Sequence, residues 1–94
     1  MPNDVALVFY PEANSAELFR RDDHWDIWYA GSLFAMTFDS ILRGEILDAV
    51  GGSPSEAEVV DFVEKQLRAA GYVIAGRKNV PGTLAAWDLT PPER

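Results

Sequence analysis

The first part of the chain combines one continuous apolar run with a mixed apolar and polar segment. Val5–Tyr10 is a run of β-formers closed by Pro11, and it predicts a central strand covered on both faces. Asn14–Glu17 offers a helix-capping residue with a glutamate three positions later. Leu18 and Phe19 then supply an apolar side, so the pattern predicts a short helical turn there.

Residues 25–38 fit two periods, and the residues alone leave both open. In a helix, the large side chains at spacings of three and four form one stripe. In strands, two apolar segments flank Gly31-Ser32, which suits a type II′ hairpin turn. The aromatic and β-branched content favours a strand for Asp26–Ala30.

Two helices are predicted in the middle of the chain. Apolar residues recur with helical spacing over 38–50, and Gly51-Gly52 ends that pattern. A second helix is predicted over 54–70, with Ser53 as its cap, Pro54 in its first position and Glu56 reaching back. Its predicted buried side consists of Val59, Val60, Val63, Leu67 and Ala70.

The C-terminal part predicts a hairpin. Gly71 stands where a left-handed helix cap is expected. Tyr72–Gly76 and Thr83–Thr90 read as strands, and Pro81-Gly82 suits the centre of a type II turn between them.

Together these elements predict one α+β domain over residues 1–94, with a short tail at 91–94. Its antiparallel sheet of three to five strands contains the N-terminal strand, the C-terminal hairpin and the candidate strand Asp26–Ala30, packed against helices 38–50 and 54–70. Hydrophobic residues make up 48% of the chain, which is too many for a disordered protein. Cysteine is absent, and neither a signal sequence nor a membrane-spanning run is visible, so we expect a cytoplasmic protein.

Charge is distributed unevenly along the chain. Residues 22–64 hold ten acidic side chains and one basic one, Arg43, so this stretch carries −9 while the rest carries +2. Such a field disfavours nucleic acid and favours a basic protein surface. Acids at 56, 58, 61 and 64 are explained by a helix start or by Lys65 and Arg68 one turn later. Six acids have only Arg43 nearby in sequence to neutralise them: Asp22, Asp23, Asp26, Asp39, Glu45 and Asp48.

Aromatic residues among these acids suggest a binding site. Tryptophan and tyrosine are enriched at the centres of protein interfaces, and Trp25, Trp28 and Tyr29 lie within the acidic stretch. The predicted partner-binding residues are Asp22, Asp23, Trp25, Asp26, Tyr29, Asp39, Glu45 and Asp48, and the predicted partner is a protein with a basic surface. A solvated acidic face is the alternative, and at least one of these aromatics, with Trp28 the first choice, is expected to be buried.

Catalytic and metal chemistry find little support in the residues. His24, the only histidine, lies among Asp22, Asp23 and Asp26, but the i, i+4 ligand spacing of a helical metal site is missing. Ser32 lacks the second glycine of a nucleophile elbow. We therefore predict no catalytic residue, no metal site and no cofactor, although a small metal-dependent enzyme is the remote alternative.

Residues 53–91 resemble the second half of a winged-helix domain of the MarR-like kind. The shared features are a capped helix ending in Leu67–Val73, a loop with Arg77 and Lys78, and a strand closing on Asp88–Pro91. The resemblance implies a transcriptional regulator whose helix enters the major groove and whose loop touches the DNA backbone. On that helix Glu56, Glu58, Asp61 and Glu64 would repel phosphates, so this reading is the alternative function.

In size and charge the chain is similar to small phage-encoded inhibitors of the anti-CRISPR and DNA-mimic kind. This similarity implies a non-enzymatic protein whose acidic face occupies a channel meant for nucleic acid. We expect binding to a basic partner without direct binding to nucleic acid.

Overall fold

The computed structural model describes residues 10, 12–31, 34–51 and 54–90. The predicted strand over Val5–Phe9, the predicted cap Ser53, the turn residue Ser32 and the predicted tail at 91–94 lie outside the described residues. The elements are β1 (Ala13–Arg20), β2 (His24–Gly31), β3 (Phe34–Leu42), α1 (Arg43–Val50), α2 (Glu56–Ala69), β4 (Val73–Lys78) and β5 (Ala85–Thr90).

The five strands form one antiparallel sheet in the order β3-β2-β1-β5-β4. β1, β2 and β3 are neighbours in space as well as in sequence. Both helices come between β3 and β4 in the chain. β5 then pairs with β1 and joins the β4–β5 hairpin to the other three strands. The predicted α+β class with an antiparallel sheet is confirmed.

The helical turn predicted from Asn14 is wrong, because this segment is strand β1. Ala16 and Leu18 are buried, while Glu17 and Phe19 between them are only partly buried, which is the two-residue period of a strand. β1 also has partners on both sides, β2 and β5. A single helical turn offers far fewer backbone hydrogen bonds than pairing along both edges, so the sheet prevails over the local capping pattern.

The strand interpretation of residues 25–38 is confirmed, since β2 and β3 form an antiparallel hairpin. The helix predicted over 38–50 begins too early, because Phe38 to Leu42 belong to β3 and pair with β2. Phe38, Ile41 and Leu42 have spacings that also occur in helices, which caused the error. The helix begins only at Arg43.

The cap of α2 lies two residues later than predicted. Ser55 Oγ accepts a hydrogen bond from the Glu58 amide at 3.2 Å, and the Glu58 carboxylate accepts one from the Ser55 amide at 3.0 Å. The pair of cap and reaching glutamate is therefore Ser55 and Glu58, not Ser53 and Glu56. The amides of Ser55 and Glu58, which have no partner within the helix, thus both have a hydrogen-bond acceptor.

Replacing Ser55 with alanine should lower the free energy of unfolding by about 1 kcal/mol, because the Glu58 amide loses its acceptor. Urea unfolding at neutral pH measures this. Ser55→Asp keeps an acceptor and is the control. Equal losses in both variants would show that the acceptor for the Glu58 amide is not what Ser55 contributes.

The predicted glycine cap and the C-terminal hairpin are confirmed. Gly71 has φ of 102°, and the Tyr72 amide donates to the Leu67 carbonyl at 3.1 Å, which closes the helix end. In the β4–β5 connection Gly82 has φ of 86° and the Thr83 amide donates to the Val80 carbonyl at 3.3 Å. These features are those of the predicted type II turn.

The core lies on one face of the sheet, under the two helices. Tyr29 and Trp87 each face Ala16 in register, and Ile27 faces Leu18, so these buried side chains share that face. The helices contribute the buried residues Ile46, Val59, Val60, Phe62, Val63 and Leu67. Ala70, predicted as buried, is partly buried. No helix in the described part of the chain is long and apolar enough to cross a membrane.

Candidate protein-binding surface

Four predicted site residues lie at the end of the sheet where β1 turns into β2 and β3 passes into α1. Asp22 and Asp23 form the turn, and the Asp23 carbonyl accepts from the Arg43 amide at 3.0 Å, which holds the turn against the start of α1. The Glu45 carboxylate accepts from the Leu42 amide at 2.7 Å. Asp48 follows Glu45 by three residues and lies on the same side of α1. We call Asp22, Asp23, Glu45 and Asp48 the acidic end.

Most cations of the protein are engaged with other carboxylates. Within the described residues, neither lysine nor arginine forms an ion pair with Asp22, Asp23, Glu45 or Asp48, and the Asp23 carboxylate lies 2.7 Å from His24 Nδ1. The ion pairs that do form join Arg20 to Glu56, Arg21 to Asp26, Lys65 to Asp61, Arg77 to Glu64 and Lys78 to Asp88. The acidic end therefore keeps most of its charge.

Asp26 does not belong to this exposed charge, which corrects the sequence prediction. Its side chain is buried, with the residue only 6% exposed. It accepts hydrogen bonds from Arg21 Nε at 2.9 Å and from Ser40 Oγ at 2.8 Å, and His24 Nε2 lies 3.2 Å away. The expectation that only Arg43 could neutralise Asp26 is wrong, because the β1–β2 turn brings Arg21 beside it. Asp26 thus ties the β1–β2 turn to β3.

The pKa values of the carboxylates around His24 follow from these contacts. Burial would raise the pKa of Asp26, but the hydrogen bonds from Arg21 and Ser40 outweigh it, and the pKa is lowered. The hydrogen bond from His24 lowers the pKa of Asp23. A carboxylate with a lowered pKa in the folded state stabilises the fold above its ordinary pKa, and this contribution is lost as pH falls.

The free energy of unfolding should therefore decrease as pH falls below about 4. Urea unfolding at pH 7, 4.5 and 3 measures the decrease. Asp26→Asn should show a shallower pH dependence than the wild type, because its amide cannot take up the proton. Asp22→Asn, which removes an exposed carboxylate, is the control and should follow the wild type. An unchanged pH dependence in Asp26→Asn would contradict the assignment.

The predicted aromatic anchors lie in the core. Trp25 and Tyr29 are buried on the face of the sheet that carries the helices, and the Tyr29 ring packs at 4.8 Å from that of Tyr10. Their assignment to an exposed partner-binding surface is wrong, because strand alternation turns both inward. Trp28, the first choice for burial, lies instead on the opposite face and is only partly buried.

Asp39 is separated from the acidic end. It pairs in register with Ile27 and accepts a hydrogen bond from Tyr10 Oη at 3.3 Å. It lies in the middle of β3 and on the side of the sheet that faces the helices. The predicted set of eight site residues therefore divides into the acidic end, Asp39, and three buried residues.

An apolar strip on the open face of the sheet was missed in the sequence. Trp28 stacks on Phe38 at 4.5 Å between ring centroids and meets the edge of Phe19 at 6.4 Å. Met36, Phe38 and Leu42 are 50%, 47% and 58% exposed. The signal that could have revealed it is the apolar residues at 36, 38 and 42, which share one side of β3 with the polar Ser40. We call Phe19, Trp28, Met36, Phe38 and Leu42 the outer apolar strip.

The His24 ring lies between two carboxylates. Both ring nitrogens face carboxylates, and Ser40 Oγ donates to Asp26 rather than to the imidazole. Over the residues that the structure describes, no group of three or more histidine, cysteine, aspartate or glutamate side chains could hold a metal ion.

The segment that resembles a winged helix presents acids outward. Glu56, Glu58 and Asp61 are exposed on α2. Arg77 and Lys78, expected in a loop, belong instead to β4, where Arg77 pairs with Glu64 at 2.9 Å and Lys78 with Asp88 at 3.8 Å. No family model, curated protein or solved structure matches the chain. Fold and surface together define a small α+β protein with helices on one face of its sheet, an apolar strip on the other, and an acidic end.

Proposed function

We propose that this protein is a non-enzymatic binding protein whose acidic end docks on a basic surface of a partner protein. The observation that supports this is the gathering of Asp22, Asp23, Glu45 and Asp48 at one end of the sheet without lysine or arginine partners. Partner cations can pair with these carboxylates without breaking an internal ion pair to lysine or arginine. Unscreened charge of one sign also steers a complementary partner into encounter.

The partner surface that best matches this charge is one that ordinarily binds nucleic acid. Such surfaces place lysine and arginine where successive phosphates lie. Carboxylates on the β1–β2 turn and one helical turn apart on α1 offer negative charges at separate points, as a phosphate backbone does. The protein would then act as an inhibitor of the DNA-mimic or anti-CRISPR kind, by occupying that surface.

A capture experiment tests this function. The tagged protein is incubated at low salt with a nuclease-treated bacterial lysate, and bound proteins are eluted by a salt gradient and identified. We expect nucleic-acid-binding proteins with basic surfaces, released as salt rises, because screening weakens exposed ion pairs. In a parallel gel assay the protein should not shift labelled duplex DNA.

Two results would overturn the proposal. A shift of duplex DNA by the protein alone would favour the winged-helix regulator. Retention that is independent of salt would show that charge does not hold the partner.

A further inference from the structure

The outer apolar strip lies on the face of the sheet that no described helix covers. Phe19, Trp28 and Phe38 make one aromatic cluster across β1, β2 and β3, and Met36 and Leu42 extend it along β3. Single exposed apolar residues are ordinary, but a contiguous patch bordered by charge marks an interaction site.

We propose that the outer apolar strip is the contact core of the docking surface, and that it takes a basic protein surface with apolar side chains among its lysines and arginines. This inference rests on the proposed function. It adds the face of the molecule that makes contact and the mixed chemistry of the partner.

The strip is continuous with the acidic end. Leu42, its last residue, pairs in register with His24, which follows Asp23 directly. The Leu42 amide donates to the Glu45 carboxylate at 2.7 Å. Ser40 lies between Phe38 and Leu42 on this face and donates to Asp26, so a polar pair separates the aromatic cluster from Leu42. A partner surface that covers the strip and this pair reaches the acidic end at Leu42.

The area of the strip indicates that the docking surface includes the acidic end as well. β1 to β3 have 8, 8 and 9 residues, which at ~3.3 Å rise and ~4.8 Å strand spacing give a face of roughly 400 Å². A stable interface buries about 800 Å² on each partner. The strip is only part of this face and is too small for such an interface by itself, so a stable complex needs further contact area, which the neighbouring acidic end can contribute.

Charge selects a basic partner over a second copy of the chain. Glu17 pairs in register with Trp28 and shares its face, and Asp22 and Asp23 lie at the end of the strip. The guanidinium of Arg21 lies 5.2 Å from the centre of the Phe19 ring but is paired with Asp26. Two copies meeting on this face would oppose their acidic borders, and each copy has a net charge of −7.

Two synthetic peptides of equal length and charge test the inference. One contains lysine and serine, and the other contains lysine with leucine and phenylalanine in place of the serines. The wild-type protein should bind both at low salt, and the mixed peptide at least about tenfold more tightly. The double variant Met36→Ser/Phe38→Ser should lose this tenfold preference and keep its affinity for the lysine–serine peptide.

Val73→Ser is the matched control, because Val73 is 59% exposed but lies on β4, away from the strip. Trp28 gives a direct reading of contact, since Trp25 and Trp87 are buried in the core. Its emission should shift with the mixed peptide, and Trp28→Phe should abolish the shift. Circular dichroism and thermal melting check that each variant folds, and Leu42→Ser replaces the double variant if the latter unfolds.

The outcomes separate the two proposals. If the mixed peptide binds no more tightly, or the strip variant keeps the preference, the strip inference fails while salt-dependent binding of the lysine–serine peptide still supports the acidic end. If neither peptide binds, the proposed function fails as well. Sedimentation tests whether a second copy of the chain binds the strip instead. A wild-type dimer that Met36→Ser/Phe38→Ser converts to monomer would overturn the inference in favour of self-association.

Discussion

Replacing Trp87 with alanine is expected to lower the free energy of unfolding by about 3–5 kcal/mol. Trp87 is completely buried between the sheet and α2, and its indole Nε1 donates to Glu64 Oε2 at 2.8 Å. The substitution removes the largest side chain of the core and leaves Glu64 with Arg77 as its remaining donor. A domain of this size is stable by ~5–15 kcal/mol, so much of its stability would be lost. Urea unfolding followed by circular dichroism measures the change.

Trp28→Ala is the matched control for this prediction. Trp28 is partly buried on the open face of the sheet, so its truncation should cost clearly less than that of Trp87. A loss equal to or larger than that of Trp87→Ala would show that the outer face is a second core and not a docking surface. The comparison therefore tests which face of the sheet is covered.

The double variant Asp22→Lys/Asp48→Lys is expected to weaken binding of the lysine–serine peptide by about tenfold to a hundredfold at low salt. Each reversal replaces an attraction by a repulsion, worth on the order of 1 kcal/mol at a solvated surface. Neither carboxylate caps a helix or forms an ion pair with lysine or arginine within the described residues, so the fold should be unaffected. The effect should shrink as salt rises, since the Debye length falls to ~10 Å at 0.1 M.

Glu12→Lys/Asp61→Lys changes the net charge by the same amount at other places. Glu12 is exposed just before β1, at the far end of that strand from Arg20, and Asp61 is exposed on α2. Affinity for the peptide should fall only slightly in this variant. Equal losses in both double variants would show that net charge alone governs binding and that the acidic end is not a site.

Much of the fold was predictable where local pattern and tertiary pairing agree. α2 has a helical apolar stripe and is followed by Gly71, and the β4–β5 connection contains Pro81-Gly82. Each of these features favours the local backbone conformation that the fold requires. The segments predicted wrongly are those in which local pattern conflicts with distant pairing. Asn14–Glu17 looks like a helix start, and Phe38 has helical neighbours, but both segments gain strand partners that the sequence does not display.

The candidate site was harder to predict, because side-chain direction depends on register. Because β2 is a strand, Trp25 and Tyr29 share one face of the sheet and Trp28 lies on the other. The sequence of β2 does not show which of these faces α1 and α2 cover. The burial of Asp26 follows from Arg21 and Ser40, which only the β1–β2 turn and the β2–β3 register bring together. The sequence predicted four acidic site residues, Asp22, Asp23, Glu45 and Asp48, but only the fold shows that they lie near one another at one end of the sheet.

Competition for the partner's nucleic acid tests the central proposal most directly. Labelled DNA or RNA is bound to the protein recovered in the capture experiment, and increasing amounts of this chain are added while fluorescence anisotropy is followed. The proposal predicts that the label is released completely at a stoichiometric ratio, and that Asp22→Lys/Asp48→Lys requires much more protein than Glu12→Lys/Asp61→Lys. A complex that retains both the chain and the labelled nucleic acid would contradict it.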